Sequence, residues 1–147
     1  MFFAKLHPLV VHFPVALLVS GTLFEMFGTL QREDTIVEAG HFNIRFGFWA
    51  TLPVIGVGFL GVKNVEVMPE FKSFLASHIV FAFLTPTLFG MLLILNYFKT
   101  KRWWVKVLYY LTLILGLASI MAAGFYGGEL VHRFGLPEGE MKAGLVN

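Results

Sequence analysis

The chain has no cysteine. That excludes disulfides, thiolate metal sites, iron–sulfur clusters and covalently attached c-type haem. Charge is also scarce. Only 14% of the 147 residues are Asp, Glu, Lys or Arg, against about a quarter in an ordinary soluble domain. The net charge is +2 and no basic run points to nucleic acid. No nucleophile–base constellation, phosphate loop or carboxylate pair indicates hydrolytic or transfer chemistry. The first apolar stretch lacks a small-residue cleavage site and runs on too long for a signal peptide, so none is expected.

What the chain has in excess is apolar surface. It is 57% hydrophobic, and a soluble domain of this size needs far more polar cover. The solvent it implies is lipid. Four spans are expected within one integral membrane domain covering residues 1–147: about 8–30, 35–62, 71–98 and 103–130. A spanning helix needs about 20 mostly apolar residues. Only the second span, with its clean run from Phe46 to Val62, needs help from a polar lead-in. No internal repeat or long linker is visible. The joins are short, which sets consecutive helices side by side and antiparallel. The expected fold is therefore all-α, a four-helix transmembrane up-down-up-down bundle.

Orientation follows from the cations. Arg32, Arg45, Lys99, Lys101, Arg102 and Lys106 fall on the side of the first and third joins. Lys5, Lys63, Lys72, Arg133 and Lys142 fall on the other. The cluster from Lys99 to Lys106 lies tight against two spans, where the positive-inside rule acts most strongly. Both termini are thus expected outside the cytoplasm, in the periplasm of a bacterium, with Trp103 and Trp104 in the cytoplasmic aromatic belt. Pro14, Pro53 and Pro86 interrupt three spans. Each removes a backbone hydrogen bond and favours a kink.

The five histidines are the most informative feature. His7 and His12 open span one, His78 lies about two turns into span three, and His132 ends span four. In an up-down bundle those positions share one end, and only His41 lies at the other. Ionisable groups in spans are costly and usually functional. Counted from Pro8 and Phe71, His12 and His78 lie within about one turn of the same depth. His7 and His12 point about 140° apart, so His7 is expected at the rim near His132. Gly124, Gly128 and His132 recur every four residues on one face, where a helix or flat cofactor could come close.

Two imidazoles from facing helices suit haem b, so His12 and His78 are the expected axial ligands. Gly124 and Gly128 would line the pocket. His7 and His132 would be rim groups that hold propionates or a second metal or haem. Copper or zinc on histidine nitrogens, in a metal-binding or transport subunit, is the alternative, with Met68 and Met141 as soft ligands for copper. The bland reading makes the histidines interfacial or hydrogen-bonded between helices, in a structural membrane anchor. Glu25 is expected to pair with Arg45, and Glu129 to be interfacial. The leading expectation is a cytochrome-like electron-transfer subunit near the outer face, with a quinol and a periplasmic redox protein or larger respiratory complex as partners. A homo-oligomer is also possible on this reading.

The run His7-Pro8-Leu9-Val10-Val11-His12-Phe13-Pro14-Val15-Ala16-Leu17-Leu18 resembles the opening of a bacterial family of small four-helix membrane proteins. That family is catalogued as domain of unknown function twenty-two thirty-one. The run Gly127-Gly128-Glu129-Leu130-Val131-His132-Arg133-Phe134-Gly135 is similar to its closing motif, which more often has tyrosine where this chain has His132. Ser77-His78 matches its internal histidine. The resemblance implies the four-helix fold and a bacterial inner membrane, and it implies no agreed activity.

Overall fold

A computed structural model describes residues 2–63, 67–98 and 102–136. The elements are α1 (Phe2–Val10), α2 (His12–Gln31), α3 (Asp34–Val62), α4 (Pro69–Phe98) and α5 (Trp103–His132). Four helices are long and apolar enough to cross a membrane, the first being α1 and α2 together, Phe2–Gln31. The chain is a four-helix membrane bundle. Large apolar side chains such as Leu9, Leu30, Trp49 and Trp103 stand outward, as lipid solvation requires. The core of Leu18, Ile44, Phe89, Leu92, Tyr109, Leu113 and Ile120 runs along the centre.

The first span starts earlier than expected. It begins at Phe2 rather than Pro8, and breaks only at Val11. Pro14 causes the break, because it has no N–H to give the carbonyl of Val10. Helical bonds resume around it, from Val11 N–H to His7 and from Val15 N–H to Val11.

Span one packs along α3, and α4 packs along α5. The two hairpins meet where α3 touches α4 and α2 touches α5. Spans one and three are therefore diagonal. Gly21 and Gly40 set the closest approach: a Cβ on Gly21 would lie 2.8 Å from the backbone nitrogen of Ile44, and one on Gly40 2.7 Å from that of Glu25. Small residues are what let membrane helices pack backbone to backbone.

The second hairpin repeats the first, contrary to the sequence expectation of no repeat. Buried Ala4, Leu18 and Gly21 correspond to buried Leu75, Phe89 and Leu92, each 71 residues on. His7 corresponds to His78 at the same shift. In the returning helices Gly40, Ile44, Gly47, Gly58 and Gly61 correspond to Tyr109, Leu113, Gly116, Gly127 and Leu130, each 69 residues on. Burial repeats while most side chains do not, so the pattern is hidden from the sequence.

Candidate functional site

The repeat brings two histidines to the same task. His7 Nδ1 lies 3.1 Å from the carbonyl oxygen of Val54. His78 Nδ1 lies 2.9 Å from that of Ala123. A carbonyl only accepts, so each Nδ1 carries a proton, and a ring that is neutral then has its lone pair on Nε2. That is how proteins commonly orient a metal-binding imidazole. Each ring also has a glycine seat. A Cβ on Gly58 would lie 2.8 Å from His7 Cε1, and one on Gly127 3.0 Å from His78 Cε1. Each glycine stands four residues after the accepting carbonyl, so ring and helix backbone touch directly.

The two ring centres are 6.2 Å apart and the ring planes cross at 81°. Two imidazoles trans on one metal, at about 2.0–2.1 Å plus about 1.1 Å to each ring centre, are separated by about 6.3 Å. The backbones stay apart here: no Cα of α1 comes within 8 Å of one in α4 or α5. The rings reach across a gap between hairpins. Two imidazole nitrogens from opposite hairpins are a donor set of the kind that haem iron takes.

The family model described as Predicted membrane protein (DUF2231) matches residues 4–139. The chain belongs to this DUF2231 family. Comparison with curated proteins gives no match, and neither does comparison with solved structures. The match to the DUF2231 model takes in the four membrane helices and both rings of the pair.

The histidine ring that meets His78 is that of His7, not the expected His12. His12 is exposed on the outside of span one. Counting depth from Pro8 put His7 at the rim, but the helix starts at Phe2 and carries His7 inside. The two still diverge around the helix, with the opposite one facing in. His132 is the exposed last residue of α5.

Among the described residues Gly124 and Gly128 do not make the expected close approach, since none lies within 4 Å of a Cβ on either. At this end of α5 the close glycine is Gly127, which packs on His78. Among the described residues no three His, Cys, Asp or Glu side chains come together to hold a metal ion. Met68 packs with Phe71, Leu75 and Leu130, and Met141 lies outside the described residues.

The expected Glu25–Arg45 pair is also replaced. Glu25 is fully buried. Its Oε1 lies 3.0 Å from His41 Nε2, and its Oε2 accepts a 2.6 Å hydrogen bond from the Tyr109 hydroxyl. Arg45 is exposed. Burial selects the nearby imidazole and phenol, because a cation on the outer face of α3 has water and headgroups to turn to. Glu129 bonds Arg133 one turn on, at 3.4 Å.

Proposed function

We propose that this DUF2231 protein is a haem b subunit of a bacterial inner membrane, with His7 and His78 as axial ligands. The reading rests on one observation: crossed rings 6.2 Å apart, each with Nδ1 bonded to a backbone carbonyl. When bound, haem b supplies one-electron transfer. The chain's own part is to fix both imidazoles. The carbonyls of Val54 and Ala123 hold the tautomer and raise the basicity of Nε2. Gly58 and Gly127 let the rings lie against the returning helices.

Two nitrogens are half the usual tetrahedral set for zinc, which favours an axial pair over a copper or zinc site. The cation pattern supports a periplasmic position for this end of the bundle and for both termini. A quinol in the bilayer and a periplasmic redox protein are the natural partners.

The test is to purify the protein in mild detergent after expression with ample haem and record oxidised and reduced spectra. Split alpha and beta bands on reduction, with haem extractable by acid–acetone, are the expected result. A colourless protein would refute the proposal.

A further inference from the structure

A second buried polar group lies towards the opposite end of span one. Glu25 is 18 residues beyond His7, about 27 Å along a straight helix. It is about 9 Å before Gln31, the last residue of α2. Its carboxyl group is 0% exposed, and three elements supply its surroundings. From α3, His41 Nε2 approaches Oε1. From α5, Tyr109 donates to Oε2, and the Tyr109 ring packs against Tyr110. Tyr110 in turn shares a 3.1 Å hydrogen bond with Thr29 of α2. On α3, Glu38 and Arg45 flank His41 and are exposed.

The packing does not require a carboxylate there. The repeat places Asn96 at the position equivalent to Glu25. Among the described residues Asn96 Oδ1 is buried with no hydrogen-bond partner, so the second hairpin packs around an uncharged side chain at this position. An acid in the first hairpin is dearer than an amide, and fold alone does not explain it. Unlike the buried Glu25 and Tyr109, His41 has a side chain that is 22% exposed. It touches the buried carboxyl on one side and the outside on the other.

We propose that Glu25 is a proton-binding site that exchanges with the aqueous phase through His41. The two groups together hold one transferable proton. It sits on Oε1 when His41 is neutral, or on Nε2 when Glu25 is ionised. Passage across the 3.0 Å contact moves that proton between them, and His41 passes it to or takes it from water. Tyr109 keeps its own proton and holds Oε2. It is a positioning residue. This site stands independently of the haem proposal.

The test is infrared spectroscopy of the full protein in detergent, across pH and after transfer to D2O. A protonated carboxyl band should be present at low pH, disappear at high pH and be missing in Glu25→Gln. Its deuterium shift should be at least tenfold slower in His41→Ala and be restored by added free imidazole. Tyr109→Phe should move the band's frequency and leave the exchange rate unchanged. Circular dichroism and a monodisperse elution profile check that each variant is folded. If no pH-dependent band is lost in Glu25→Gln, the site does not titrate and the proposal falls. Fast exchange in folded His41→Ala without imidazole also overturns it. Haem content is read separately, so loss of one proposal leaves the other standing.

Discussion

His7 and His78 make the same hydrogen bond from opposite hairpins. Each gives Nδ1–H to a carbonyl four residues before a glycine that its ring covers: Val54 before Gly58, and Ala123 before Gly127. The lone pairs on Nε2 are what remain for chemistry. Because the bonding is repeated, damage to either seat should have the same effect.

Gly58→Ala and Gly127→Ala should each displace a ring. The new Cβ would stand 2.8 Å from His7 Cε1 or 3.0 Å from His78 Cε1. Overpacking of this kind costs about 1–3 kcal/mol. Both variants should melt lower and hold less haem. Gly124→Ala and Gly128→Ala meet open space, and should melt at the same temperature or slightly higher through better helix propensity. Equal damage at all four positions would show that the seats are not specific.

The 81° angle between ring planes should be visible in electron paramagnetic resonance. Crossed axial imidazoles give oxidised low-spin haem a strongly anisotropic signal with a large maximal g value. Parallel imidazoles give the ordinary rhombic signal. A rhombic spectrum from the purified protein would mean that the rings bind in another orientation.

Thermal unfolding separates the two candidate partners of Glu25. His41→Ala removes a hydrogen-bond partner 3.0 Å from a fully buried carboxyl, and leaving such a buried polar group unsatisfied costs about 1–3 kcal/mol. Tyr109→Phe removes a hydrogen bond to a carboxyl, worth about 1.5–3 kcal/mol. Arg45 is exposed, so Arg45→Ala should change stability by no more than about 0.5 kcal/mol. Greater damage from Arg45→Ala than from His41→Ala would restore the ion pair that sequence alone suggests.

Topology is open to a fusion assay. Alkaline phosphatase, active only after export, should be active when joined after Asn147 and inactive when joined after Thr100. The cations beside spans three and four motivate this. The reverse pattern would put the histidine pair on the cytoplasmic side.

The four spans are legible because lipid solvation demands long apolar runs, and nothing else in a chain this short produces them. The convergence of histidines on one end follows from antiparallel topology. Choosing the right histidine of span one does not, because it depends on where the helix starts. Pro8 looks like a first helical residue, yet Phe2 begins the helix and Pro14 only breaks it at Val11. Glu25 and His41 carried a usable signal. Gly21 lies one turn before Glu25 and Gly40 stands beside His41, so the closest backbone contact of α2 and α3 draws those side chains together. Opposite formal charge pointed instead to Arg45, which burial overrides. The repeat is illegible because only His7 with His78, Gly47 with Gly116 and Gly58 with Gly127 keep their identity among the core correspondences.

The most direct measurement is the reduced-minus-oxidised spectrum of His7→Ala and His12→Ala, purified side by side with wild type. His7 faces His78 across 6.2 Å, whereas His12 is exposed on the same span. His7→Ala should lose the split low-spin bands, as His78→Ala should, while His12→Ala keeps them at wild-type intensity. Bands that survive in His7→Ala and vanish in His12→Ala would contradict the assignment of the pair.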